Sequence, residues 1–325
     1  MPSRAAVVLL NLGGPDSLDA VRPFLYNLFS DPDIFKLPLG RFTQKPFAAV
    51  FSRRRAREAT QGYAAIGGKS PLLAHTQAQA AALQQALAID GERRADVYVC
   101  MRYWHPMAPE VVGQLKQRGY PRIVLLPLYP QYSHTTTGSS RNDFERECRR
   151  QGYHPEVHLI RQWYDQPAYQ QAIVDTLRAE LARFPEPDPE RVQLLCSAHG
   201  LPRKLVDAGD PYEQQIVATY DSVRARLGWR HTTLCYQSRV GPLEWLKPYT
   251  EDVIRDCGRR GVRQVLVYPI AFVSDHVETL YELGIAYGAL ARACGIPHYR
   301  VAPALNAHPL LIEALKDRVL NTLPT

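Results

Sequence analysis

At 325 residues, 46% hydrophobic and 22% charged, the chain has the balance of a folded globular protein, and both disorder and collagen-like repeats are excluded. Its length suits one large domain or two of ordinary size, with a core that needs neither disulfides nor a structural metal. The net charge of +7 admits an acidic small ligand, anionic lipid or nucleic acid, and the lack of any zinc-finger or RNP-type motif sets nucleic acid aside.

In chain order, residues 1–4 run directly into the apolar stretch 5–12, so no signal or transit peptide is expected. No apolar run reaches the roughly 18 residues of a membrane-spanning helix. A cytoplasmic location is the resulting expectation. Segment 34–51 is rich in phenylalanine, leucine and proline, and Arg53, Arg54 and Arg55 follow it. It reads either as an apolar lip with a basic rim resting on an anionic membrane, or as a buried helix with a solvated rim. "YAAIGGKSPL" (63–72) sets Gly67 and Gly68 before Lys69 and Ser70. Such a turn offers backbone amides to an anion or is an ordinary turn, and it lacks the GxxxxGK[ST] spacing of a P-loop.

Beyond this point, β-branched apolar runs at 97–102, 123–129, 192–197, 232–236 and 264–270 alternate with helix-like stretches such as 76–88, 109–118 and 167–183. Apolar strands alternating with helices predict parallel sheets covered on both faces. The stretch 184–191 (FPEPDPER) reads as a connector near a domain boundary. "RGYPRIVLLPLYPQYSHTTTG" from Arg118 resembles "RGVRQVLVYPIAFVSDHVETL" from Arg260, with His134 matching His276 and Thr137 matching Thr279. Similarly, "LLNLGGP" from Leu9 faces "LLCSAHGLP" from Leu194. The expected architecture is therefore α/β, two similar Rossmann-like domains at 1–163 (with the lip segment 34–55) and 164–325, ligand lying beyond the carboxyl ends of the strands in a cleft between them.

The halves differ where chemistry is expected. His199 follows a strand in the second half, where the first half has Gly13 and Gly14. Asp275, His276 and Glu278 stand where the first half has Ser133, His134 and Thr136. His199 is either a turn-held functional imidazole or a strand-end histidine capping a carbonyl. Asp275, Glu278 and Glu282 at i, i+3 and i+7 line one face if their segment is helical. That face is either a solvated acidic surface or a proton-handling row. One imidazole with one carboxylate suits an open, transient site for a divalent transition metal. "YQSRVGPLEWL" (236–246) joins Ser238, Arg239 and Trp245, which suits a flat ligand with acidic tails or forms ordinary turn and core chemistry. Six cysteines, none closer than 22 residues to the next, match neither CxxC metal spacing nor a disulfide framework.

Together the segments "LLNLGGPDSLDAVRPFLYNLFSDP", "GYAAIGGKSPL", "MRYWHP", "YPQYSHTTTGSS", "SAHGLP" followed by "GDPY", "YQSRVGPLEWL" and "PIAFVSDHVETLYEL" resemble the ferrochelatase family over nearly the whole chain, in order and spacing. The resemblance implies insertion of ferrous iron into protoporphyrin IX, with a porphyrin cleft between two Rossmann-like domains. It places the metal-binding and proton-accepting pair on His199 and Glu278, with Asp275, His276 and Glu282 as further proton-handling candidates. It also implies aromatic and basic cleft positions at Arg102, Tyr103, Tyr129 and Trp245. Propionate contacts would fall on Arg55, Tyr63, Ser70 and Ser238, and Leu12 would sit opposite the histidine. Some members carry a [2Fe-2S] cluster. Here His134 stands at its first cysteine position and no cysteine follows Cys294, so no cluster and no other cofactor is expected. A monomer is the expected state, and the alternatives are coproporphyrin III chelation, another chelatase inserting cobalt or nickel into a different tetrapyrrole, or non-catalytic porphyrin or haem carriage.

Overall fold

The run Ala5–Asn11 is buried along its entire length, as a strand must be when helices cover both faces of its sheet. This is β1 of a computed structural model that describes residues 5–323 apart from 36, 90, 91 and 94. The expectation about residues 1–4, and Lys36 of the lip segment, therefore lie outside the described residues. The other strands are β2 (Ala88–Ile89), β3 (Glu92–Arg93), β4 (Ala95–Met101), β5 (Arg122–Pro127), β6 (Glu156–Leu159), β7 (Gln193–His199), β8 (Thr232–Gln237), β9 (Gln264–Tyr268) and β10 (His298–Val301). β2 and β3 form a small antiparallel pair.

The other eight make two all-parallel sheets, ordered β4-β1-β5-β6 and β10-β9-β7-β8. Ranked by chain order within each sheet, both read 2-1-3-4. The internal resemblance noted in the sequence is thus one topology used twice. The chain divides into two compact units, one spanning Tyr164–Leu311 and the other holding the rest.

In the first unit Ala6, Val8 and Leu10 of β1 and Ile123 and Leu125 of β5 pack against Val111, Val112 and Leu115 of helix Ala108–Arg118. That helix starts next to Pro109 and ends at Gly119 in the left-handed region, φ 67°, where glycine carries no Cβ penalty. In the second unit Leu195, Cys235, Val265 and Val267 from the strands meet Ile254, Leu283, Ala291 and Ile296. Burying each large aliphatic side chain contributes roughly 1.5–3 kcal/mol.

In both sheets the order reverses beside the first strand, between β1 and β5 and between β7 and β9. Crevices beyond the carboxyl ends of strands at such reversals are where open α/β sheets bind ligands. In each unit the segment after the third strand enters a π-helical turn, His134–Gly138 after β5 and Glu278–Ala286 after β9. π-Turns are uncommon and cluster at functional sites.

The expectation of Asp275, Glu278 and Glu282 along one helix face is corrected here. The helical winding that carries the two glutamates begins at Val277, so Asp275 precedes it. The acidic row is two residues long.

Candidate functional site

β7 ends at His199, and Gly200 follows because nothing larger fits. A Cβ there would lie 2.9 Å from the Gln237 carbonyl oxygen and 3.1 Å from the Trp245 ring. The Gly200 amide donates to that same carbonyl at 2.8 Å, and the Tyr212 hydroxyl donates to the His199 carbonyl at 2.9 Å. The imidazole is thereby fixed at the strand end, edge-on to Phe272 with 6.3 Å between ring centroids.

His199 Nδ1 lies 2.8 Å from Glu278 Oε2. The imidazole side chain is 39% exposed and the Glu278 side chain 22%, so the pair is partly open to solvent. Burial alone would lower the His199 pKa; the Glu278 carboxylate, with Glu282 behind it, outweighs that and the net shift is upward. Burial works against the Glu278 carboxylate, but the facing His199 imidazole prevails and holds it well below the usual carboxylate range. For Glu282 burial and the charge of Glu278 both act upward, and this carboxyl holds its proton more tightly than an ordinary glutamate.

Ser238 joins the two acids. It sits just past the end of β8 at φ 62°, in the left-handed region that serine seldom occupies. Its amide donates to Glu282 Oε1 at 2.9 Å, and its hydroxyl hydrogen-bonds both Glu278 Oε2, at 2.9 Å, and Glu282 Oε2. The Tyr287 hydroxyl and the Gln237 side-chain amide also donate to Glu282, at 3.1 and 3.3 Å. Backbone strain of this kind is concentrated at functional sites.

His276 is buried and packs its ring 4.4 Å from that of Phe272. Its Nδ1 faces the Ser274 carbonyl at 3.2 Å, and burial lowers its pKa, so it is neutral. Asp275 points elsewhere, to Thr279, Ala304 and Asn306. Trp245 is half-buried, and its indole N–H donates to the Val240 carbonyl at 3.2 Å.

The candidates in the first unit fall in separate places around the carboxyl ends of its strands. Leu12 is half-buried just past β1. Gly14 nearby is obligatory, since a Cβ there would come within 2.6 Å of the Ser70 Cβ. Tyr63 is buried, and its hydroxyl lies 3.9 Å from where that Cβ would be. Arg102 and Tyr103 are committed to the buried Asp31: the guanidinium lies 3.0 Å and the phenol 2.6 Å from its Oδ2, and Ser139 joins them. Tyr129 is half-buried with its hydroxyl out of solvent. Arg55 lies on the exposed side of helix Gly40–Ala65 and pairs with Glu58 at 2.8 Å.

Among the described residues no group of three or more histidine, cysteine, aspartate or glutamate side chains is arranged to hold a metal ion. The donors on offer at β7 and β9 are one imidazole and one carboxylate. A polar cavity of about 450 Å³ lies at the amino ends of β7 and β9, far from this chemistry. Its Arg191 and Arg260 are already paired with Glu186 and Asp256.

The sequence reading missed the parts played by Gln237, Tyr212, Tyr287 and Asn306. Gln237 and Tyr287 carried a signal: one ends a strand beside Ser238, and the other lies five residues after Glu282. Asn306 carried none, because its partner is 31 positions away.

The ferrochelatase family profile matches residues 4–323. A protein named ferrochelatase from Cyanothece sp. is 48% identical over 98% of this chain and 83% of its own length. One from Nostoc punctiforme is 46% identical over 98% and 82%. Ferrochelatase-2, chloroplastic, of Cucumis sativus is 46% identical over 99% and 64%. Among solved structures, SirB from Bacillus subtilis with Fe3+ superposes with a TM-score of 0.55 at 12% identity, covering 98% of this chain and 95% of SirB. CbiX, described as the terminal enzyme of siroheme biosynthesis in denitrifying bacteria, gives 0.52 at 13%, covering 98% and 100%. Those two likenesses establish the fold.

Proposed function

The chain belongs to the ferrochelatase family, and from that membership and the site geometry we propose that it inserts ferrous iron into protoporphyrin IX, with His199 and Glu278 handling the metal and the pyrrole protons. The observation that carries this assignment is the 2.8 Å imidazole–carboxylate pair, formed by residues 79 positions apart, at the point where the strand order of the second sheet reverses.

Insertion must remove two pyrrole N–H protons and bend a flat ring so that its nitrogen lone pairs face the metal. Bending takes roughly 1–5 kcal/mol, drawn from binding of the rest of the macrocycle. In the unit that carries His199 the apolar surface for that binding is Trp245; family membership assigns apolar contacts to Leu12 and Tyr129 and propionate contacts to Tyr63, Ser70 and Arg55. Glu278 engages Nδ1 of His199 and leaves Nε2 to meet the pyrrole proton or the iron. A proton accepted there passes through Nδ1–H to Glu278. Ser238 carries it onward, accepting from one glutamate and donating to the other. Glu278 is held low and so passes a proton on, and Glu282, which holds a proton more tightly, is the carboxyl at the end of this path. Assistance of this type is worth about 10²–10⁴-fold in rate.

Ser238 acts in this reading through the acids, since its amide and hydroxyl are both engaged with them. Arg102 and Tyr103 act through Asp31 in the same way, holding the segment after β4. Iron is the substrate, and no resident cofactor takes part in this reading. The protein acts as a monomer in the cytoplasm. The helix Gly40–Ala65 rests on anionic lipid: Leu39 and Phe42 are 77% and 74% exposed beside the exposed Arg53, Arg54 and Arg55. Among the described residues no helix is long and apolar enough to cross a membrane.

The test is anaerobic ferrous iron plus protoporphyrin IX, followed by visible absorption, with wild type and His199→Ala. Wild type metallates the ring; His199→Ala binds porphyrin without metallating it. Turnover of the variant near the wild-type rate would overturn the assignment.

A further inference from the structure

We propose that Asp275 is a positioning residue, and that it works as half of a clamp whose other half is Asn306. The inference rests on the chelatase reading of the His199–Glu278 site.

The two side chains meet as a closed ring of hydrogen bonds. The Asp275 amide donates to Asn306 Oδ1 at 2.9 Å, and Asn306 Nδ2 donates to Asp275 Oδ2 at 2.8 Å. The Asn306 amide donates to the Val273 carbonyl at 2.7 Å. Asp275 Oδ1 is also occupied, accepting from the Thr279 hydroxyl at 2.9 Å and the Ala304 amide at 3.2 Å. Both carboxylate oxygens are therefore engaged by neutral donors, and Asp275 is 9% exposed. None of the hydrogen bonds of this carboxylate reaches His199, Glu278 or Glu282, so it lies off the path that joins those three.

What the ring holds is the segment carrying His276 and the start of the π-turn. Thr279 is tied to both ends of it, since its hydroxyl accepts from the His276 amide at 3.0 Å while serving Asp275. Asn306 pays for its place with a φ of 48°, a left-handed conformation that asparagine and aspartate tolerate better than other side chains. Such strain persists only where surrounding bonds fix it. Loss of the clamp leaves Glu278 present and displaces it relative to His199; small misplacements of reacting groups cost large factors in rate.

The geometry permits a decisive exchange. With Asp275→Asn and Asn306→Asp together, the new amide at 275 donates to the carboxylate at 306. Every other bond keeps its sense. Either change alone sets donor against donor or carboxylate against carboxylate. Wild type, D275N, N306D, the double variant and Asn306→Ala would be assayed for kcat, for porphyrin affinity by fluorescence quenching, and for the pH profile of kcat.

Each single exchange should lower kcat by about 10- to 100-fold with porphyrin affinity within threefold of wild type. The double variant should return to within about threefold of wild type, with an unchanged pH profile. Asn306→Ala, which leaves the Asp275 carboxylate and its Thr279 and Ala304 bonds in place, should lose kcat like the single exchanges. A double variant as slow as D275N, or full activity in Asn306→Ala, would overturn the clamp and return Asp275 to the proton path. Failure of the chelatase reading would show separately, as wild-type protein that does not metallate porphyrin.

Discussion

His199 and Glu278 divide the labour of one hydrogen bond, and their opposite shifts set a testable pH response. Below its raised pKa the imidazole is protonated and can take neither iron nor a pyrrole proton, so kcat falls on the acid side. Glu278→Gln removes the carboxylate that raises His199 and leaves its burial. The acid limb of kcat should therefore move to lower pH, while the maximum rate falls by about 10²-fold or more. An acid limb that stays put would detach the imidazole from the limiting step. The same pair links to stability with opposite signs. The raised imidazole stabilises the fold below its unfolded value of about 6.5, and that contribution is lost as pH rises through the folded value. The depressed carboxylate stabilises above its unfolded value of about 4.3, and its contribution is lost as pH falls toward about 2. Gly200 supplies a second prediction at this scale. A methyl group there meets the backbone oxygen of Gln237 at 2.9 Å, which cannot step aside cheaply. Gly200→Ala should cost about 1–3 kcal/mol in urea unfolding and lower kcat by displacing His199 from Glu278. Gly113→Ala is the control: it lies inside helix Ala108–Arg118, its new Cβ comes no closer than 3.5 Å to Gln151, and it should stabilise by about 0.5–1 kcal/mol.

Helix Gly40–Ala65 carries the prediction that belongs to a single element. Its inner side carries the buried Ala48 and the half-buried Phe47, which meets Phe29 and Phe35, while Phe51, 4.2 Å from Phe47 between ring centroids, is 38% exposed at the edge of this cluster. Its outer side exposes Phe42, Val50 and the arginines. The sequence left two readings for this stretch, a lipid-facing lip or a buried helix with a solvated rim, and the helix has both a buried and an exposed apolar side. Each arginine near an anionic surface is worth about 1 kcal/mol, so replacing Arg53, Arg54 and Arg55 by glutamine should weaken sedimentation with anionic vesicles by about 100-fold. Binding that is equally strong to neutral vesicles would remove the electrostatic part of the argument. The central strands were legible because they are continuous apolar runs buried on both faces. β6 and β10 were not, as edge strands of four residues with mixed polarity, EVHL and HYRV. The π-turn was hidden for a related reason: 275, 278 and 282 suit an α-helical face as spacing alone, and only the bonds of Asp275 to Ala304 and Asn306 reveal that the chain is not yet helical there. His199 was readable because an imidazole is chemically out of place at the end of an apolar strand, and Glu278 and Glu282 because carboxylates recur in the segment that follows the apolar run 264–270. The clamp and the strained backbone of Ser238 were not, because partners far apart in sequence create them.

The repeated strand order shows what the whole molecule gains from two similar halves. The same crevice occurs twice, and the acids and imidazole have been placed on one copy, while His134 and Thr136 occupy the matching turn of the other. The net charge of +7 is a property of the entire chain, and a porphyrin bearing two propionates carries the opposite sign at neutral pH. Long-range attraction of this kind speeds encounter and is screened by salt over about 8 Å at physiological ionic strength. It acts before the ring is seated, so it belongs in kcat/KM and not in kcat. Raising salt from about 20 to 500 mM should then lower kcat/KM for protoporphyrin by about 10-fold and leave kcat nearly constant. The dimethyl ester of the same porphyrin has no charge to steer, and its kcat/KM should be flat over that range although lower throughout for want of propionate contacts. A salt response shared by the ester would mean that ionic strength acts on the protein's own charged groups, the His199–Glu278 pair foremost, and that the basic surface plays no part in gathering substrate.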